Sequence, residues 1–159
     1  MIKHILVPID SSEHSGRVVA FATELAVKLD ASITFLHVLT RVLARESLKR
    51  YVASLEAAPN PDLAEIGTVQ KALSRSGEDE GTELLTKGRL AAEKLGIRDV
   101  TTLLRDGDPA SVIVHEAESG MYDLVILGRR GLGGLRGLVM GSVSHKVSAT
   151  AECTVVIVT

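Results

Sequence analysis

The chain has 159 residues, of which 45% are hydrophobic, and this length is sufficient for one domain with a buried core. Its net charge of -2 mixes both signs and only 3% of its residues are aromatic, a composition that argues against nucleic-acid binding. The single cysteine, Cys153, excludes a disulfide framework and a cysteine metal pair. Pro8 and Asp10 interrupt the first apolar run before it reaches the length of a signal peptide or membrane span, so we expect a cytoplasmic protein without a membrane partner.

Strand and helix patterns alternate from the start of the chain. Residues 5–9 form a continuous apolar run, as expected of a strand that is covered on both faces. Ser11 and Ser12 are predicted to cap the helix that follows. The apolar residues on one face of that helix are Val18, Phe21, Ala22, Leu25 and Leu29. Residues 33–39 form the second predicted strand.

Residues 41–81 differ from the rest and indicate a helical or mobile insertion after the second strand. One helical face is predicted before the break at Pro59-Asn60-Pro61, and a weaker helix around Leu63, Ile66 and Leu73. The polar stretch 76–81 is expected to be mobile. The position of the insertion suits a lid over a ligand, a partner surface or a loosely packed helical elaboration.

The alternation resumes in the second half of the chain. A helix with Leu84, Leu85, Ala91, Ala92 and Leu95 on its apolar face is ended by Gly96. Asp108-Pro109 begins a helix between predicted strands at 100–104 and 124–127. A last helix at 142–150 precedes a last strand at 155–158. The pattern predicts a single-domain α/β fold, a doubly wound, five-stranded parallel sheet with helices on both faces, which is Rossmann-like.

A glycine- and arginine-rich segment lies between the strand at 124–127 and the last helix. Gly128, Gly131, Gly141 and Ser142 follow the spacing G-x2-G-x9-G-S. The segment lacks the Gly-Lys-Ser/Thr of a Walker loop, and Arg136 stands where a dinucleotide fingerprint has its third glycine. We expect Gly128 and Gly131 to permit positive φ and close approach to a ligand, at a helix start whose N–H groups attract anions. The segment therefore predicts a phosphate site rather than a structural turn.

This spacing resembles the nucleotide loop of the ATP-binding branch of the universal stress protein family. The resemblance extends to most of the chain, through the segments 5–12, 36–38, 107–109, 123–128 and 153–158, whereas 41–81 carries no signature. It implies a strand order of 3-2-1-4-5. In that order Asp10 and Gly128 end neighbouring strands, from which the chain winds in opposite directions, and sheets of this type bind ligands at such a crevice.

The resemblance also implies which residues bind an adenine nucleotide. The positions matching the family residues around the ribose and phosphates are Leu127, Gly128, Arg129, Arg130, Gly131, Gly141, Ser142, Val143 and Ser144. Pro8, Asp10 and Val38 match positions around the adenosine. The expected ligand is ATP or another adenine nucleotide, with ADP, AMP and cyclic AMP left open. A divalent cation such as Mg²⁺ would enter only through the phosphates, since the five histidines form no metal cluster.

Several of these side chains have a second interpretation. Asp10 suits the hydroxyl or amine donors of a nucleoside, but it also suits capping with the serines that follow. Ser142 fits an N-cap as well as a ligand donor, and Arg130 fits a solvated surface charge. Arg129 stands where the family frequently has serine; it suits either a terminal phosphate, favouring ATP, or a fold across the pocket, favouring AMP. His145 is either a proton carrier or a partly exposed helix residue.

We favour binding over turnover, because no nucleophile elbow or close carboxylate pair accompanies the loop. No residue is assigned a catalytic role. The expected function is that of a cytoplasmic stress-response sensor or regulator with an unknown protein client. The alternatives are a slow ATP hydrolase or phosphotransferase, and a nucleotide-free interaction module. The uncharged strand at 154–159 would lie at a sheet edge and predicts a homodimer, unless the chain shields that edge itself.

Overall fold

The computed structural model describes residues 1–40, 63–131 and 140–159, and gives the helical backbone alone for 63–74 and 76. Strands and helices alternate along these residues as the sequence predicts. The elements are β1 (His4–Pro8), α1 (Ser15–Leu29), β2 (Ser32–Leu39), α2 (Leu63–Lys94), β3 (Val100–Asp106), α3 (Pro109–Ser119), β4 (Leu124–Gly128), α4 (Ser142–Thr150) and β5 (Thr154–Val158).

The strands form one parallel sheet in the order β3-β2-β1-β4-β5, which confirms the predicted order. Ile5 of β1 pairs with Ile33 of β2 on one side and with Leu124 of β4 on the other. The chain winds outward from β1 in one direction and from β4 in the other. The crevice between the carboxyl ends of β1 and β4 is therefore the switch point at which sheets of this kind bind ligands.

Side chains of β1 alternate between two cores, one on each face of the sheet. Ile5 and Val7 pack with Phe35 beneath α1 and α2, while Leu6 packs with Val125 beneath α3 and α4. All five of these residues are fully buried. Burial on both faces explains why β1 reads as a continuous apolar run rather than an alternating one.

Helix α1 begins later than predicted. Its N-cap is His14, without a side-chain capping bond, so the predicted caps at Ser11 and Ser12 are wrong. The hydroxyl of Ser15 donates to Asp10 Oδ1 at 2.9 Å and holds the intervening residues in a turn. The predicted inner face is also wrong in part, because Phe21 is 43% exposed and the buried positions are Val18, Ala22, Thr23 and Ala26.

Helix α2 continues without a break through residues 76–81, which we expected to be mobile. Its close packing on β2 accounts for this difference. A Cβ atom on Gly88 would lie 3.2 Å from Phe35 Cγ, and one on Gly81 would lie 2.7 Å from His37 Cδ2. Tertiary contact at these glycines outweighs their poor helix propensity. The first predicted helix of the insertion, expected before Pro59-Asn60-Pro61, falls outside the described residues.

None of the helices within the described ranges has both the length and the apolar character needed to cross a membrane.

Asp108 connects the two helices that cover one face of the sheet. Its Oδ2 accepts hydrogen bonds from Ser111 N at 3.0 Å, Ser111 Oγ at 2.6 Å and Lys146 Nζ at 3.1 Å. The first two bonds cap α3, and the third reaches α4. Because hydrogen bonds from Ser111 and Lys146 favour the ionised form, they lower the pKa of Asp108 to about 2.

Replacing Asp108 with alanine should lower the free energy of unfolding at neutral pH by about 1 kcal/mol, the usual value of an N-cap. The exposed pair with Lys146 adds little. Since the folded-state pKa is depressed, the stabilisation is present above the unfolded-state pKa of about 3.9 and is lost as the pH falls toward about 2. Urea unfolding of both proteins across that range tests this, with Asp99→Ala as the exposed control. An unchanged difference at low pH would contradict it.

Candidate functional site

The glycine segment meets the end of β1 at the switch point. A Cβ atom built on Gly131 would lie 2.5 Å from Oδ2 of Asp10, closer than real Cβ atoms approach a neighbour. The backbone after β4 therefore passes directly against the carboxylate that follows β1. A side chain at position 131 would displace the Asp10 carboxylate from this position or move the loop away from it.

Asp10 is held in a fixed orientation by the residues that follow it. Its Oδ1 accepts hydrogen bonds from Ser12 N at 3.1 Å and Ser15 Oγ at 2.9 Å. Its own N–H donates to Ser15 Oγ at 3.1 Å. These bonds aim Oδ2 toward Gly131 instead of capping α1. Beside them, the Ser12 hydroxyl oxygen is buried without a hydrogen-bond partner in the described part of the chain.

The three glycines of this segment that the structure describes, Gly128, Gly131 and Gly141, act through their missing side chains and not through positive φ. Neither Gly128 nor Gly131 lies in the left-handed region, and Gly141 has φ -73°, so the expected positive φ values are wrong. A Cβ atom on Gly128 would lie 3.3 Å from the Arg130 carbonyl oxygen, and one on Gly141 would lie 3.3 Å from that of Arg129. Glycine fits these two positions because the backbone folds closely on itself, and a side chain would require the facing carbonyl to move.

The backbone of Arg129 joins the segment to α4 and β5. Its N–H donates to the Val158 carbonyl at 2.8 Å, and its carbonyl accepts from Gly141 N at 2.9 Å and from Ser144 Oγ at 2.8 Å. Ser144 is 3% exposed and also bonds the Gly141 carbonyl. The Ser144 hydroxyl, predicted as a ligand donor, thus holds the loop from inside.

The amino end of α4 faces the same crevice with its backbone N–H groups. Gly141, not Ser142, is the N-cap, and it has no capping side chain. The first intrahelical bond runs from His145 N to the Gly141 carbonyl, so the N–H groups of Ser142 and Val143 precede it. Such groups form the positive end of the helix dipole and attract anions.

The remaining predicted residues differ in what they can offer a ligand. Leu127 is 4% exposed and Val143 packs against the same core, so both side chains are core residues. Pro8 pairs in register with Leu36, and Val38 follows two residues later, which places Pro8 and Val38 at the carboxyl edge of the sheet. Arg129 and Arg130 directly follow β4 and are half-buried, while 132–139, with Arg136, lies outside the described residues.

Two residues that support this site were not predicted as part of it. Ser15 fixes both the N–H and the carboxylate of Asp10, although its position five residues further on matches no capping rule. His37, which we interpreted as an ordinary strand-end residue, contacts the Ile9 carbonyl with Nδ1 at 2.8 Å. The position of His37 next to Val38, a predicted site residue, was the one feature of the sequence that could have indicated this role.

Comparison with known proteins identifies the family and the fold. A model of the universal stress protein family matches residues 1–159. The universal stress protein YxiE of Bacillus subtilis is 30% identical over 158 residues, or 99% of each chain. The chain also resembles the solved structure of the universal stress protein from Archaeoglobus fulgidus in complex with dAMP. The match covers 100% of each chain, with a TM-score of 0.64 at 20% identity.

The solved structure of a universal stress protein family protein from Arabidopsis thaliana with AMP bound matches with a TM-score of 0.65 at 21% identity. The match covers 98% of this chain and 90% of the Arabidopsis chain. At these identities the two solved structures show a common fold. The family model and the Bacillus relative extend the likeness to the sequence over nearly its whole length. The chain belongs to the universal stress protein family.

Proposed function

We propose that this protein binds an adenine nucleotide in the crevice between the ends of β1 and β4. The observation that carries the proposal is the contact between Gly131 and Asp10, which brings the glycine segment against the carboxylate. The two sides of the crevice differ in chemistry. Asp10 suits the hydroxyl and amine donors of a nucleoside, whereas the α4 amino end and the Arg129 and Arg130 guanidinium groups suit phosphate.

The donor set fits a nucleotide whose phosphates lie toward α4. Glycine at 128, 131 and 141 allows the backbone to pack closely at the crevice, and the N–H groups of Ser142 and Val143, which precede the first intrahelical bond of α4, suit phosphate oxygens. The dAMP and AMP complexes of the Archaeoglobus and Arabidopsis proteins support the choice of adenine. ATP, ADP, AMP and cyclic AMP are all candidates, and Mg²⁺ would be held through phosphate oxygens. The half-buried Arg129 suits a terminal phosphate, as ATP would supply.

We assign the site to sensing rather than to turnover, in a cytoplasmic regulator whose occupancy biases its choice of client. Within the described part of the site, the buried hydroxyl of Ser144 already donates to backbone carbonyls, and His145 is exposed on α4. Neither arrangement resembles a nucleophile held by a base. Slow ATP hydrolysis or phosphotransfer would require Arg129 and a divalent cation to stabilise the transferred charge. The dAMP and AMP complexes of the Archaeoglobus and Arabidopsis proteins argue against a nucleotide-free interaction module.

A second part of the proposal is a homodimer through β5. This strand is the edge of the sheet beside β4, and its residues 155–158 are half-buried. Val156 and Val158 pack toward one core while Val155 and Ile157 pack toward the other. The part of the 41–81 segment that is described belongs to α2, which packs on β2 and β3 at the other edge and does not shield β5. Two copies would protect this edge by pairing β5 antiparallel.

The protein should bind adenine nucleotide with a dissociation constant of about 1 µM or below, or retain one through purification. Mass spectrometry of heat-released ligand, and calorimetry with ATP, ADP, AMP and cyclic AMP, would identify it. A folded protein that binds none of the four would overturn the proposed function. The protein should not hydrolyse ATP over hours, and calorimetry should therefore record no heat of hydrolysis in that time.

Gly131→Val should weaken nucleotide binding by at least about 100-fold, because the side chain enters the space between the loop and Asp10. Asp10→Ala should cost about tenfold, the value of roughly one hydrogen bond. Gly16→Val is the matched control, since a Cβ atom on Gly16 meets nothing within 4 Å. Calorimetry on all three, with circular dichroism for the fold, makes the test. Normal binding by Gly131→Val would place the site elsewhere.

Sizing with light scattering should show a dimer for the wild type and a monomer for Val156→Lys and Ile157→Pro. A charge or a proline in β5 disrupts both apolar contact and strand pairing. Val27→Lys introduces the same charge on α1 at a side chain that is 49% exposed, and should remain dimeric. A monomeric wild type, or dimers in both β5 variants, would exclude this interface.

A further inference from the structure

The peptide group between Ile9 and Asp10 is held at both of its polar atoms by side chains. His37 Nδ1 lies 2.8 Å from the Ile9 carbonyl oxygen, and Ser15 Oγ lies 3.1 Å from the Asp10 nitrogen. A carbonyl oxygen only accepts hydrogen bonds, so Nδ1 carries the proton of the ring. Two side chains thus fix the plane of the peptide group that leads into the crevice.

This peptide group sets the direction of Asp10. Ile9 is 6% exposed, and its N–H donates to the Leu36 carbonyl at 2.8 Å, which continues the pairing of β1 with β2 beyond Pro8. The next peptide group is where the chain leaves the sheet. Without the hydrogen bond from His37, the peptide group between Ile9 and Asp10 could rotate. Asp10 Oδ2 would then lose its fixed position against Gly131.

The other side of the His37 ring contacts α2. A Cβ atom on Gly81 would lie 2.7 Å from Cδ2 and 3.4 Å from Nε2 of His37, and 2.9 Å from Leu104 Cδ1. The ring is therefore confined between the end of β1 and a helix that approaches it only because residue 81 lacks a side chain. The position of α2 and the orientation of Asp10 are linked through one imidazole.

We infer that His37 is a positioning residue for the nucleotide site, acting through the Ile9 carbonyl on Asp10, and that α2 influences nucleotide affinity by the way it seats this ring. The inference rests on the proposed function. It assigns to His37 no contact with the ligand. It also gives the long helix α2, from which no residue was predicted for the site, a route to regulate occupancy.

The test compares variants that keep or remove the Nδ1 donor. His37→Asn retains an N–H near the position of Nδ1, while His37→Leu removes it at similar bulk. Calorimetry should show about a tenfold loss of affinity for both AMP and ATP in His37→Leu, with His37→Asn within about threefold of the wild type. An equal loss for the two nucleotides places the defect at Asp10, since a defect at the phosphate loop would weaken ATP more.

His4→Leu is the matched control. His4 also bonds through Nδ1, to Ser32 Oγ at 3.0 Å, but it lies at the opposite end of β1 and should leave affinity unchanged. Wild-type affinity in His37→Leu, or equal weakening in His37→Asn, would overturn the role of His37 while leaving the nucleotide site in place. A wild type that binds no nucleotide would overturn both, which separates the two failures.

Two further measurements apply even where His37→Leu does not fold. Gly81→Ala crowds the His37 ring and should weaken binding, whereas Gly88→Ala crowds the Phe35 ring in the same helix and should not. Equal affinity in the two glycine variants would contradict the link to α2. Nitrogen NMR of the wild-type imidazoles should show His37 as the Nδ1–H tautomer. A His37 ring that carries its proton on Nε2 alone would contradict the hydrogen bond to the Ile9 carbonyl, on which the inference depends.

Discussion

The central physical constraint in this protein is the burial of β1 on both faces. Ile5, Leu6 and Val7 are completely inaccessible, with helices packed above and below them and strands on both sides. A strand in that position cannot place polar side chains in its interior at a tolerable cost. The first place where β1 can present a carboxylate is beyond its carboxyl end, at Asp10. Because β4 pairs beside β1, the glycine segment that follows β4 reaches that carboxylate.

Much of the fold could be predicted because it depends on apolar periodicity and on the few ways of winding a parallel sheet. The features that could not be predicted depend on single tertiary contacts. Ser12 N and Ser15 Oγ both bond Asp10, and α1 begins only after the turn that these bonds hold. Residues 76–81 have poor helix propensity, but the contact of Gly81 with His37 keeps them within α2. Local sequence contains no record of either partner.

The candidate site shows the same division. The strand order correctly predicted that the glycine segment and Asp10 meet at the crevice, whereas the close approach of the glycines to a phosphate stays a prediction. The glycine spacing did not indicate why these positions lack a side chain, because φ values and close contacts are both compatible with glycine. It also did not distinguish Ser144, whose hydroxyl turns inward, from Ser142 at the first position of α4. Two serines in one motif therefore have different tasks, which only burial reveals.

Arg129 shows how the proposed binding site and the proposed dimer edge would communicate. Its N–H bonds the last residue of β5, and its carbonyl holds Gly141 and Ser144 at the start of α4. A ligand shifts an equilibrium only through differential contact with two states, so a sensor needs an element that both sites touch. One residue of backbone satisfies that requirement here. On the opposite side of the crevice, the His37 ring provides a second such link, toward α2. Nucleotide binding in the crevice would thus influence both edges of the sheet, β5 on one side and β3 with α2 on the other.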